Sequence, residues 1–213
     1  MLKQQFINLF KLFKSDIFKN SAEKINTTQH YNYLLGVRQE IQIFNLNYTF
    51  VFLRQMVVFL INYLTPTSRI LFIGNSEDTS SYIFKKFICS YNQFYIFSPW
   101  VGGVLTNLKN VRKFLTKTKE LDSEHSKKLN LFFEGIQKMT FLPNLIVLLN
   151  VSNSEIINEI RILGIPCIAF SHQHISLNYS TYYIPGNFTS LKSSLFLCEI
   201  FQLCFQLKFK KFN

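Results

Sequence analysis

Leu145-Ile146-Val147-Leu148-Leu149-Asn150 is a run of five aliphatic residues closed by a polar one. A strand with one wet face alternates apolar and polar residues, so an unbroken run of this length suits a strand covered on both faces. The residues that follow settle its partners. Ile156, Ile160 and Leu163 recur at helical spacing, Ser152 and Glu155 have capping-box spacing before them, and Gly164 stands where a C-cap belongs. Pro166 to Ser171 is then a second apolar run of strand length. Strand, helix, strand in direct succession is the building unit of a parallel sheet.

The same alternation extends in both directions. Ile41 to Phe44, Arg69 to Ile73, Phe94 to Phe97 and Thr181 to Ile184 read as further strands. Helical period marks Tyr48 to Leu64, Thr79 to Ser90, Asn107 to Met139 in at least two pieces, Ser154 to Leu163 and Thr189 to Leu207. The expected fold is α/β, a flavodoxin-like doubly wound parallel sheet with helices on both faces. Lys109 to Met139 carries the densest charge and is too long for a simple crossover. It predicts a short helical hairpin over about residues 108–139. The expected organisation is an apolar and basic N-terminal extension at 1–28, an α/β domain at 29–207 and a basic tail at 208–213.

Phe occurs 24 times and Ala twice, an imbalance no fold requires. Codons for Phe, Ile, Asn, Lys and Tyr are AT-rich and those for Ala GC-rich, which points to an AT-rich genome such as an organelle's. Lys and Arg number 23 against 12 Asp and Glu, a net charge of +11 that favours an anionic partner, nucleic acid before membrane surface. Cys89, Cys167, Cys198 and Cys204 lie far apart and read as small buried apolar residues. Tyr48 to Leu64 is short and interrupted by Arg54, Gln55 and Asn62, so no integral membrane span is expected. Met1 to Lys19 places Phe6, Leu9, Phe10, Phe13 and Ile17 on one helical face among lysines. It reads as a basic amphipathic helix that docks on a partner or on the protein's own core.

Motifs for catalysis are weak throughout. After the strand ending at Ile73, Gly74-Asn75-Ser76-Glu77-Asp78 has one glycine and two acids, which would repel a nucleotide's phosphates. His172 and His174 suggest no third metal ligand nearby. Ser171 lacks the glycine-flanked elbow of a hydrolase. Glu155 and Glu159, one helical turn apart, read as a solvated face. The expectation is therefore no catalytic residue, no metal and no cofactor.

The most distinctive stretch is Trp100-Val101-Gly102-Gly103-Val104-Leu105-Thr106-Asn107, with the only tryptophan and two of the seven glycines. It reads as a tight bend, with Thr106 or Asn107 capping the helix that follows. Lys109, Arg112 and Lys113 come in that helix's first turns, Arg38 follows Gly36, and Lys208, Lys210 and Lys211 close the chain. Clusters of this kind contact phosphate without reading bases.

Several segments, in this order, resemble the bacterial-type family of the second protein of the small ribosomal subunit. They are Tyr33 to Arg38, Ile41 to Leu46 with Thr49, Ile70 to Gly74, and the Trp100 to Asn107 block. Gly135 to Met139, Leu142-Pro143, Leu163 to Pro166 and Ile184 to Asn187 complete the series. The resemblance covers about residues 30–200. It departs from the family's pattern at Pro99, which replaces an arginine, at Ser171-His172-Gln173 and at Phe188-Thr189. The segment from Phe114 to Phe133 is also shorter than usual.

What the resemblance implies is a structural constituent of the small subunit, not an enzyme, attached to small-subunit rRNA where head meets body. With the AT-rich composition it suggests a mitochondrial copy, in the matrix, ahead of a plastid one. Arg38, Thr106, Asn107, Lys109, Arg112 and Lys113 are the expected RNA contacts, and Trp100, Gly102 and Gly103 the residues that shape the loop. The expected partners are rRNA and neighbouring ribosomal proteins, including lineage-specific ones, and not a second copy of the chain. Two competing readings are a nucleotide- or metal-binding α/β enzyme and a basic membrane-surface protein.

Overall fold

The computed structural model describes residues 9–19, 33–39, 41–75, 81–119, 131–151, 153–171 and 181–208. In chain order its elements are α1 (Leu9–Lys14), β1 (Leu34–Arg38), β2 (Ile41–Phe44), α2 (Leu46–Tyr63), β3 (Ile70–Gly74), α3 (Ser81–Ser90) and β4 (Phe94–Ile96). Then come α4 (Leu108–Lys119), a 3-10 turn at Glu134–Ile136, β5 (Leu145–Leu149), α5 (Ser154–Leu163), β6 (Cys167–Ser171), β7 (Tyr182–Pro185) and α6 (Leu191–Lys208). Strands β3 to β7 form one parallel sheet in the order β4-β3-β5-β6-β7, with the aliphatic run β5 at its centre. Counted from β3 this is the flavodoxin-like order.

Because successive strand residues face opposite sides, each central strand feeds two cores. Ile70, Phe72, Val147, Ile168 and Phe170 point to one layer, where they meet α1, α2, α3 and α6. Leu71, Ile73, Ile146, Leu148 and Ala169 point to the other, beneath α4, α5 and the 3-10 turn. Phenylalanine does much of the filling in the first layer. Phe201 of α6 meets Phe72 edge-on at 5.4 Å and Phe170 at 6.0 Å, and Phe170 meets Phe188 at 5.0 Å. Such pairs add about 0.5–1.5 kcal/mol beyond burial.

The helix ends follow local chemistry. Asn45 caps α2 by accepting from the Asn47 N–H at 3.1 Å, and Ser190 Oγ accepts from the Ser193 N–H at the start of α6. Gly164 ends α5 in the left-handed conformation at φ 63°, as its position predicts. The N-cap of α5 is not the expected one. Asn153 takes that role, its Oδ1 accepting from the Glu155 N–H at 2.8 Å, while Ser152 lies outside the described residues.

Other expectations also change. Ile41–Phe44 is a strand, but it pairs antiparallel with β1 in a separate two-stranded sheet. Left-handed Gln39, at φ 51°, turns the chain back at once, and so short a link permits only an antiparallel pair. Within the N-terminal segment, docking on the protein's own core is what Leu12 and Ile17 do, both fully buried. Phe13, expected on the apolar face, is exposed. The Asn187 N–H donates to Ile17 O and its side chain to Lys19 O, which ties this segment to the loop after β7. Cys89 is exposed rather than buried, since Phe84 and Ile88 are the residues α3 turns inward. The hairpin expected over 108–139 is described only as α4 and the 3-10 turn, and its middle, like residues 1–8, lies outside the described residues.

Two surface carboxylates give the fold an acid-sensitive component. Lys85 beside Glu134, and Lys192 followed by Lys19 beside Asp16, hold these acids below the ordinary carboxylate range. A depressed folded-state pKa contributes stability above the unfolded value and loses it as pH falls through the folded one. Both pairs are solvent-exposed, so each is expected to contribute only about 0.2–1 kcal/mol. Denaturant unfolding of Asp16→Asn should therefore fall slightly below the parent at pH 7, with a smaller deficit at pH 3. Equal deficits at both pH values would refute the assignment.

Candidate functional site

The bend after β4 is built on one buried side chain. Glu159 sits on α5 between Ile156 and Ile160, both in the core, and is itself only 7% exposed. Its Oε1 accepts from Trp100 Nε1–H at 3.0 Å and from the Gly103 N–H at 2.7 Å. Its Oε2 accepts from the N–H groups of Leu105 at 3.0 Å and Thr106 at 3.2 Å, with the Thr106 hydroxyl at 3.4 Å. An ionised carboxylate removed from water needs this many donors, because a buried charge left unsatisfied costs several kcal/mol. The expected solvated Glu155–Glu159 pair is thus corrected. Glu155 is exposed, and Glu159 organises the turn. Its signal in the sequence was its place at i+3 from Ile156 and i−4 from Leu163, inside the buried stripe of the helix.

The two glycines differ. Gly103 adopts φ 87°, where a side chain would strain the backbone. Gly102 is exposed and keeps a negative φ, and a Cβ there would lie in ordinary contact with Glu155. Val104 and Leu105 are buried beneath the turn, and Trp100 packs half-buried against the same core. The Asn107 N–H closes the bend onto Gly103 O at 2.8 Å, and Asn107 Oδ1 accepts from Asn110 Nδ2 at 2.8 Å.

From this turn α4 leaves with Leu108 and Leu115 inward and Lys109, Arg112, Lys113 and Lys117 exposed. Its sequence contains no acid. Arg112 Nη1 donates to Thr140 O at 3.0 Å, which pins the helix to the segment before β5. No described carboxylate lies within ion-pair distance of Lys109 or Lys113. Arg38 is exposed at the end of β1, on the separate hairpin. The fold therefore groups Thr106, Asn107, Lys109, Arg112 and Lys113 on one element and leaves Arg38 on another.

In open α/β sheets, ligands enter the crevice beyond the carboxyl ends of the strands at the point where strand order reverses, here between β3 and β5. At the end of β3, Phe97 and Leu149 lie close over Gly74. The ring of Phe97 would lie 3.1 Å from a Cβ on Gly74, with Leu149 at 3.4 Å. Ser171 is buried at the end of β6, while His172 and His174 lie outside the described residues. Among the described residues no group of His, Cys, Asp or Glu has the makings of a metal site. Burial pushes the thiols of Cys167, Cys198 and Cys204 up to about 12, far from thiolate reactivity.

Comparison with known proteins agrees with this geometry. The family model described as ribosomal protein S2 matches residues 12–206. Small ribosomal subunit protein uS2 of Shewanella piezotolerans is 29% identical, with 76% of this chain and 74% of that protein covered. The uS2 protein of Colwellia psychrerythraea is 26% identical, with 86% of each chain covered. The family match takes in every strand of the parallel sheet, the turn held by Glu159 and the basic helix after it, and the chain belongs to the ribosomal protein S2 family.

Proposed function

We propose that this protein is a structural constituent of the small ribosomal subunit, bound to its rRNA and without catalytic activity of its own. The observation that carries the reading is α4, an acid-free helix with four exposed cations, set on an anchored turn in a chain of this family. Lys109, Arg112 and Lys113 contact RNA phosphates, assisted by Asn107 and Thr106 at the helix start. Arg38 makes a separate contact from the β1–β2 hairpin. Such contacts give affinity and register without reading bases.

Protein neighbours have a surface of their own. The outer side of α2 exposes Tyr48, Val51, Val58 and Tyr63, and Arg54 is the only charged residue of that helix. Charge depletion with exposed aromatics is the composition of a protein–protein interface core. No helix among the described residues is long and apolar enough to cross a membrane. The AT-rich amino-acid usage supports an organellar ribosome, mitochondrial ahead of plastid, although the relatives named above are bacterial.

Gradient sedimentation of organelle lysate tests the reading. The protein is expected to co-sediment with the small subunit and to move to the top of the gradient after ribonuclease digestion. Sedimentation away from the small subunit would overturn it.

A further inference from the structure

We infer that the turn from Trp100 to Thr106 is an oxyanion-binding cradle, which the chain keeps filled with the carboxylate of its own Glu159. Five donors converge on that carboxylate: three backbone N–H groups, one indole N–H and one hydroxyl. Both carboxylate oxygens are used, two donors on Oε1 and three on Oε2. Among the described residues no lysine or arginine lies within ion-pair distance of Glu159. Among the described residues the negative charge is therefore held by oriented dipoles, as in the backbone concavities that bind free anions.

Contacts other than those to Glu159 also hold the donors in place. Left-handed Gly103 sets the path of the backbone, the Asn107 N–H locks the turn onto Gly103 O, and Val104 and Leu105 anchor it in the core. A neutral group would leave several part-buried donors unmatched, whereas a carboxylate or a similar small oxyanion accepts from all five. Glu159 reaches the cradle from a helix fifty residues downstream in the chain, so the cradle and its occupant are separable by one substitution.

One consequence rests on the ribosomal reading. With Glu159 in place the converging main-chain N–H groups of the turn are engaged, so RNA phosphates are met by the side chains of α4 and its start and not by the backbone of the turn. The cradle does not depend on that reading. Failure to co-sediment with the small subunit would remove the consequence and leave the cradle standing.

Trp100 is the only tryptophan, so its fluorescence reports on the cradle directly. In the full chain, Glu159→Ala removes the equivalent of one acetate. Its emission is expected to shift to the red and its thermal midpoint to fall. Sodium acetate, but not sodium chloride at the same ionic strength, should reverse both changes saturably while leaving the parent unaffected. An acetate response in Glu159→Ala no larger than in the parent would overturn the inference. Should that variant fail to fold, Glu159→Gln decides. It keeps the shape but turns an NH2 toward donors, so a red shift without an acetate response is expected, and parent-like emission would refute the need for an anion.

Discussion

Gly135→Ala is expected to destabilise the protein by about 3 kcal/mol, at the upper end of what overpacking a core costs. In a chain of this size the shift in thermal midpoint is then about 6–12 °C. The reason is a contact with backbone. A Cβ on Gly135 would overlap the carbonyl oxygen of Tyr95 and lie 2.6 Å from two of its ring carbons. No rotamer change can move a main-chain oxygen, so the 3-10 turn must lift away from β4. Lifting it disturbs Phe133, Ile136 and Met139, all buried in the second core, and strains the bond from Ser98 Oγ to Phe132 O. A parallel control separates crowding from loss of glycine flexibility. Gly102→Ala, where a Cβ meets only the carboxylate of Glu155 at 3.6 Å, should shift the midpoint little. Differential scanning calorimetry of the two variants checks the contrast, and equal shifts would show that the Tyr95 contact is not the cause.

The second large effect concerns RNA affinity. Neutralising Lys109 and Lys113 together should lower affinity for small-subunit rRNA by about 25–60-fold at 0.1 M salt and reduce the salt slope by about 1.4–1.8. These figures follow from the counterions released for each phosphate contact. Adding Arg112→Ala should bring the loss to between 10² and 10³ on the same arithmetic. The thermal midpoint should behave differently. The side chains of Lys109 and Lys113 bond to no described residue, and the Thr116 hydroxyl bonds only the Lys113 carbonyl, so the double variant keeps the parent's stability. Arg112 also holds Thr140 O, so the triple variant loses about 0.5–1.5 kcal/mol. Filter binding or anisotropy across a salt series gives both slope and affinity. A double variant with the parent's slope would remove α4 from the interface.

Much of this molecule was legible from local pattern. The apolar runs at 70–73 and 145–149 read as two-sided strands, and the spacing around Ile156 and Gly164 marked one helix to the residue. Local pattern also has a horizon. Leu34–Arg38 contains a glycine and an arginine and alternates poorly, so its strand is visible only through its pairing with β2. Cys89 and Phe13 are apolar by type but face outward, because which side of a short helix is inner depends on what packs against it.

The site shows the same division. Composition, the order of strands and helices, the basic helix after the Trp100 bend and the family resemblance are all properties of residues near one another in the chain. They determined the fold class, and they supplied the expectation of an anionic partner and the residues proposed to meet it. Glu159 looked like half of a solvated acidic pair, Gly135 counted only toward the family resemblance, and Phe97 only as the end of a strand. Their roles exist only where α5 meets the Trp100 turn, where the 3-10 turn rides on β4 and where Phe97 closes over Gly74. A hydrogen bond across 56 residues, or the close passage of Gly135 beside Tyr95, is a relation between distant positions, and no local period encodes it. The chain's own pattern therefore decided which elements form and what charge they present, and tertiary packing alone decided that the Trp100 turn is held by a buried carboxylate.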